Sequence, residues 1–300
     1  MRAAHPRVAI GLPVFNGEKY LAETLDSLLA QTYEEFDLII SDNASTDRTE
    51  EICRDYAAGD ERICYYRNDD NRGAAWNYNR VFELAGGEYF KWAAHDDLLA
   101  PAYIERCIEV LDRDADVVLC YPKTRIIDEN GEAKEDYEDN LHLDSAKPHM
   151  RFRHVLFDLT GECNAIFGLI RRETLCPTIL IGNFHSSDMV LLAEMAMRGR
   201  FSEIAQRLFF RRDHPDTSVR LHHSKHDRTV WFDPQKTGHN PMLMWRWLYE
   251  FAKAVKRVPM NASDKSRCYA LVGKWARVHH RMLRHELTQK AAARMGRQTD

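Results

Sequence analysis

Over the first 121 residues, short apolar runs rich in β-branched and aromatic residues alternate with longer amphipathic ones, and turn residues close each run. Val8–Leu12, Phe36–Ser41, Ile63–Arg67, Tyr89–Ala93 and Val117–Tyr121 read as strands, apolar along most of their length because both faces of a parallel sheet are covered. Between them, Gly17–Gln31, Asp47–Ala58, Ala74–Ala85 and Pro101–Arg113 read as helices; in the first, Leu21, Leu25, Leu28 and Leu29 fall on one stripe. Asp47 followed three residues on by Glu50 predicts a capping box for the second helix. Repeated strand, helix, strand is the mark of βαβ units, so the pattern predicts an α/β chain with a Rossmann-like, mainly parallel sheet flanked by helices.

After Tyr121 the alternation stops. Lys123–Asp128 reads as one more strand, Asn130-Gly131 as a turn, and Glu129–Asp144 as an acidic, irregular, mobile loop. Strand Ala165–Arg171, helix Ser186–Arg198 and strand Arg207–Arg212 follow. From Ser224 the chain turns helical and basic, with Met242–Val255 and then Asp264–Gly296. The expected organisation is a domain over 1–223, in halves 1–121 and 122–223, and a helical C-terminal extension over 224–300.

Charge changes this picture only locally. With 42 Lys and Arg against 46 Asp and Glu the net charge is −4, which argues against a nucleic-acid partner bound by general phosphate neutralisation. Base collects near the end: Lys274, Arg277, Arg281, Arg284, Arg294 and Arg297 are among nine cations facing only Asp264 and Glu286. With Trp245, Trp247 and Trp275 nearby, such a surface suits a helical cap, a homo-oligomer contact or a peripheral membrane contact with anionic lipid. The seven scattered cysteines contain no C-x-x-C, which suits reduced thiols and a cytoplasmic location. Met1–Phe15 lacks the pattern of a signal peptide, and no stretch approaches the ~18 apolar residues of a spanning helix.

In an open α/β sheet, ligands bind beyond the carboxyl ends of the strands, so the loops there carry the candidate chemistry. They read Pro13-Val14-Phe15-Asn16-Gly17, Ser41-Asp42-Asn43-Ala44-Ser45-Thr46-Asp47, Asn68 to Gly73 and His95-Asp96-Asp97. The fourteen glycines form neither a G-x-G nor a P-loop pattern, so a bound diphosphate would need another partner. A divalent cation on paired carboxylates answers that need, and Asp96 and Asp97 carry the oxygens. The same pair could instead complement a helix dipole, as Asp42 could satisfy a turn.

At this point the chain resembles the family 2 glycosyltransferases of the GT-A fold. Leu12-Pro13-Val14-Phe15-Asn16-Gly17 is similar to the family's first strand end, and Ser41-Asp42-Asn43-Ala44-Ser45-Thr46-Asp47 to its D-D-G-S-x-D segment, with Asn43 for the second acid and Ala44 for the glycine. Asn71-Arg72-Gly73, Asn79 and Gly87-Glu88-Tyr89 repeat further landmarks, so the likeness runs from Val8 to Leu111. The resemblance implies a single GT-A domain with 1–121 as the nucleotide-sugar-binding half and 122–223 as the acceptor half. Pro13, Phe15 and Asn16 would border the nucleotide, Asp42 would accept the ring N–H of uracil, thymine or guanine, and Arg72 would lie near the base or diphosphate. The family's D-x-D falls on Ala94, His95 and Asp96, leaving Asp96 as the chief ligand for Mn²⁺ or Mg²⁺ with Asp97 beside it.

Ser186-Ser187-Asp188 before an amphipathic helix resembles the family's E-D segment, which makes Asp188 the expected base for the acceptor hydroxyl. The run Arg211-Arg212-Asp213-His214 resembles one that lies by the donor phosphates, implying Arg211 and Arg212 as diphosphate contacts and His214 as a metal ligand. The activity implied is inverting transfer of a sugar from a UDP-, TDP- or GDP-linked donor to a glycan, lipid-linked or small-molecule acceptor. Asp128–Asp144 would close over that acceptor. Two other readings share such a sheet. A sugar-1-phosphate nucleotidylyltransferase would open on a glycine-rich loop that this chain lacks after Leu12, and a non-catalytic sugar-nucleotide-binding module would account for Ala94.

Overall fold

The structure is a computed structural model and describes residues 6–159, 161–221, 224–236 and 242–296. Arg297 of the basic tail lies outside these residues. Nine strands form one sheet: β1 (Val8–Val14), β2 (Phe36–Asp42), β3 (Ile63–Arg67), β4 (Tyr89–Trp92), β5 (Leu98–Leu99), β6 (Val117–Ile127), β7 (Ala133–Tyr137), β8 (Leu169–Arg171) and β9 (Arg200–Arg212). Their order is β3-β2-β1-β4-β8-β6-β9-β5, with β7 paired to β6 off this path. The first four in that order run parallel, and β8 enters antiparallel between β4 and β6.

The helices are α1 (Leu21–Leu29), α2 (Thr49–Gly59), α3 (Ala74–Leu84), α4 (Tyr103–Arg113), α5 (Pro148–Phe157), α6 (Arg172–Leu175), α7 (Ser187–Arg198), α8 (Ser218–Leu221), α9 (Lys225–Phe232), α10 (Leu243–Arg257), α11 (Ala262–Val278) and α12 (His280–Gly296). Period-two burial divides the core: Val8, Ile10, Leu12 and Val14 of β1 pack with α1 and α4, while Ala9 packs with α3 on the opposite face.

The second half departs from the sequence expectation in ways that have physical causes. Val117–Tyr121 and Lys123–Asp128 are one strand, β6; Pro122, which cannot donate to a ladder, sits in it where the register with β9 shifts. The acidic stretch expected to be a mobile lid instead forms β7, and cross-strand ions hold it: Arg125 to Asp136 at 2.9 Å and Lys123 to Glu138 at 2.6 Å. Part of the expected strand at Ala165–Arg171 is a 3₁₀ turn, Asn164–Phe167. The capping box does not form. Asp47 accepts from the Thr49 and Glu18 amides, and Glu50 pairs with Arg54.

The C-terminal helices share their core with the acceptor-half helices. Phe251 of α10 meets Phe152 of α5 edge-on at 6.3 Å and Trp275 of α11 at 5.6 Å. The Glu286 carboxylate of α12 accepts the Met244 and Trp245 amides, capping the N-terminus of α10. Three residues on, the Trp247 indole N–H donates to the His185 carbonyl at 3.1 Å. Among the described residues no helix is long and apolar enough to cross a membrane, and all seven cysteines are free.

Candidate functional site

The loops beyond β1, β2 and β3 are tied together by side-chain amides. Asn16, in the left-handed region at φ 52°, accepts the Thr46 amide at 2.8 Å and donates its own N–H to Ser45 Oγ at 2.9 Å. Gly17 follows; a Cβ there would lie 2.8 Å from the His95 ring, so only glycine lets the β1 and β4 loops approach this closely. Asn43 is buried, donates to Asn71 Oδ1 at 2.9 Å and accepts the Arg72 amide at 3.1 Å. Asn77, also buried, donates to the Ser41 and Val14 carbonyls at the two strand ends. Asn77 was not singled out in the sequence, where it reads as an ordinary helix polar residue; its one signal is the cluster of asparagines within Asn68–Asn79.

On this platform Pro13 is buried opposite Ser41 in register, whereas Phe15 is 41% exposed at the mouth. Asp42 is fully buried. Its Oδ1 accepts the Ser45 amide at 2.8 Å, and its Oδ2 accepts the Tyr65 hydroxyl at 2.9 Å and the Arg67 guanidinium at 2.6 Å. A carboxylate offers about four lone-pair positions, so one acceptor position stays open. Arg67, absent from the sequence candidates, thus fixes the residue expected to meet the base. Arg72 lies elsewhere: its guanidinium is 4.3 Å above the Trp76 ring on α3.

Beyond β4, Asp96 Oδ2 lies 3.0 Å from Nε2 of His214, which comes from the far end of β9. His214 is buried against Tyr20, with ring centroids 4.6 Å apart, and its Nδ1 has no hydrogen-bond partner. Burial works to raise the Asp96 carboxyl, but His95 and the His214 hydrogen bond outweigh it and hold it below the ordinary range. A carboxylate oxygen and an imidazole nitrogen, both ligand types for Mn²⁺ and the first also for Mg²⁺, face each other at 3.0 Å, so Asp96 and His214 are the residues that would hold a divalent cation here. Among the described residues no three His, Cys, Asp or Glu side chains converge as a self-sufficient metal group. Any such cation would complete its shell with ligand oxygens.

Asp97 and Arg212 support this corner from behind. Asp97 is buried, its Oδ1 accepts the Arg212 amide at 2.9 Å, and burial together with the Asp96 charge pushes its carboxyl up to about 7. Arg212, expected to contact diphosphate, is fully buried and spends its guanidinium on the Asp96 and Glu129 carbonyls and the Glu23 carboxylate. Arg211, one pleat on, points the other way and pairs with Glu162.

Asp188 lies in the first turn of α7, after Ser186 at φ 56°, and its Oδ1 accepts the Met189 amide at 3.0 Å. Burial raises its carboxyl above the ordinary range. Burial, then the charges of Asp96, Asp97 and Asp188, raise the phenol of Tyr78 on α3.

The arrangement matches known proteins at two levels. The fold is that of the GT-A glycosyltransferases. Staphylococcus aureus TarS, solved over residues 1–349 with UDP-GlcNAc, overlays with a TM-score of 0.59 at 16% identity, covering 97% of this chain and 92% of that one. A mannosyltransferase of Pyrobaculum calidifontis, solved with GDP-Man and Mn²⁺, gives 0.56 at 18% identity over 97% and 76%. Residues 9–175, more than half of the chain, match the profile of Glycosyl transferase family 2, and the chain belongs to that family. An uncharacterized glycosyltransferase of Rickettsia typhi is 35% identical over 157 residues, 52% of this chain and 45% of that protein. Glycosyltransferase GlyG of Streptococcus pneumoniae is 34% identical over 113 residues, 37% and 38% of the two chains. This chain therefore spans less than half of the length of these relatives.

Proposed function

We propose that this chain is an inverting glycosyltransferase that moves a sugar from a nucleoside-diphosphate donor to an acceptor hydroxyl. The observation that carries the reading is Asp96 paired with His214 at 3.0 Å beyond the carboxyl end of β4 in a family 2 sheet. The nucleotide lies over Pro13, Phe15 and Asn16, and the open acceptor position of Asp42 takes the base N–H. UDP and GDP both carry that N–H, and the structural neighbours were solved with donors of both kinds. Asp96 and His214 hold Mn²⁺ or Mg²⁺, which when bound neutralises charge on the departing diphosphate. Asp97 and Arg212 keep those two ligands in register, and Arg211 lies toward the acceptor.

Asp188 takes the proton of the acceptor hydroxyl as its oxygen bonds to the anomeric carbon from the face opposite the diphosphate. The bond from that carbon to the phosphate oxygen breaks, the electron pair leaves with the nucleoside diphosphate, and the anomeric configuration inverts. A raised carboxyl is a stronger base than an exposed one, which suits this role. The acceptor is a glycan, a lipid-linked sugar or a small molecule.

Asp188→Asn keeps the shape and removes the base. Transfer and donor hydrolysis should fall by roughly 10²–10⁴ while UDP, TDP or GDP still binds. Titrating the three nucleotides with and without Mn²⁺ checks the first part of the reading, since binding at 100 Kd stabilises the fold by about 2.7 kcal/mol. A chain that none of the three stabilises, with or without metal, is not this enzyme.

A further inference from the structure

A cavity of about 1,170 Å³ contains none of Pro13, Phe15, Asp42, Asp96, His214 or Asp188. It runs along the outer face of α3, from the loop after β3 down to Glu83, and is closed on the far side by the 179–183 loop, the segment after α9, and α10. Gly73 marks how tightly that segment closes the upper end: it stands at φ 86°, and a Cβ there would meet the Phe232 carbonyl at 2.6 Å. Asn79 fixes the opposite wall by exchanging two hydrogen bonds with the Ile181 backbone, at 2.9 and 3.0 Å.

We infer that this groove is a second saccharide site, holding a neutral oligosaccharide segment of the acceptor away from the transfer centre. The inference rests on the glycosyl-transfer reading and specifies its acceptor: a chain of several sugars, not a free monosaccharide. Charge argues for a neutral ligand. Four arginines and five acids line the walls, and two of the arginines pair with lining acids, Arg246 with Glu250 at 2.9 Å and Arg80 with Glu83 at 3.8 Å. A polyphosphate or an anionic lipid needs a surplus of cations that this lining does not offer.

Hydrogen-bonding chemistry argues for a polyol. Five side-chain amides join those ions in the lining, so it carries both donors and acceptors, as hydroxyls require. Trp76 with Arg72 stacked on it supplies the flat surface on which the apolar side of a pyranose packs. The volume exceeds the ~300–1,000 Å³ of a usual small-molecule site, which suits more than one sugar. Position links it to the reaction: Arg67, which grips Asp42, lines one end, and the 179–183 loop of the facing wall leads into Asp188. A glycan seated here can pass its terminal hydroxyl to Asp188 along that loop.

The test uses the full chain and an array of neutral oligosaccharides, followed by saturation-transfer NMR with hits and their monosaccharides, with UDP, TDP and GDP binding measured in parallel. At least one neutral tetrasaccharide should bind, tenfold or more tighter than its monosaccharide. Trp76→Leu should weaken it at least tenfold and Arg80→Ser several-fold, with nucleotide affinity within twofold of the parent. Nucleotide binding with no neutral glycan retained overturns the inference and leaves the glycosyl-transfer reading standing. So does glycan binding that neither variant alters, or retention of heparin or polyphosphate in place of neutral sugars. Glycan binding that both variants weaken, without any nucleotide binding, upholds the groove and sinks the transferase.

Discussion

Ala44 shows what one side chain costs in this site. It stands at φ 63°, a left-handed conformation in which a Cβ crowds the backbone, at the position where the family motif has glycine. Ala44→Gly should therefore stabilise the fold by roughly 0.5–1 kcal/mol, the relief of that crowding less the extra freedom of glycine in the unfolded chain. A urea midpoint that stays put or falls would show the strain is absent. Two buried titratable groups give the fold a pH signature. Burial raises Asp139 to about 6 and lowers Lys91 to about 7. Between about pH 4 and 6 the folded chain keeps a proton on Asp139 that the unfolded chain gives up, so this contribution falls as pH rises. Between about pH 7 and 10 the unfolded chain holds a proton that folded Lys91 has lost, so stability climbs again. Lys91→Met should flatten the alkaline climb and Asp139→Asn the acid decline, read from urea unfolding at pH 5, 7 and 9. Profiles parallel to the parent's would refute the assignment. Side-chain direction at this scale was hidden from the sequence: Arg211 and Arg212 look alike as neighbours in a basic run, yet the pleat sends one into the core and the other to Glu162.

At the scale of elements, the strands legible in advance were those whose apolar runs are covered on both faces. β1, β2 and β4 fell close to their predicted bounds because burial writes itself into composition, while the edge strand β3, exposed at Tyr66 and Arg67, was marked by its β-rich run alone. β7 is the opposite case. Its residues Ala133–Tyr137 are almost all exposed, so no hydrophobic period marks it, and its pairing depends on ions contributed by β6 and by Arg207 of β9. Asp136 touches both Arg125 and Arg207 at 2.9 Å. Asp136→Lys would set three cations side by side and should weaken the hairpin, with faster amide exchange confined to it. Unchanged exchange there would mean the ladder is held by its backbone alone. The candidate site follows the same rule: the strand-end loops were legible as polar stretches after apolar runs, while His214 beside Asp96 depends on β9 crossing the sheet from 118 positions away.

For the whole molecule, the near-neutral charge hides an uneven surface. In α11 and α12 the described acids are engaged locally, Asp264 with His149 and Asn261 and Glu286 with the amides of α10, so Arg277, Arg281 and Arg284 stand exposed with no ion pair among the described residues. The Glu286 cap carries a consequence beyond its own helix. By anchoring the start of α10 it anchors Trp247, and through the indole it anchors the carbonyl three residues ahead of Asp188. The proposed base is therefore braced from a point 98 positions downstream in the chain, like a gate hung from a distant post. Glu286→Ala should cost about 1 kcal/mol of global stability. Its sharper mark should be loss of amide protection in two separated segments at once, the first turn of α10 and His185–Met189. Loss in α10 alone would show that the brace ends there.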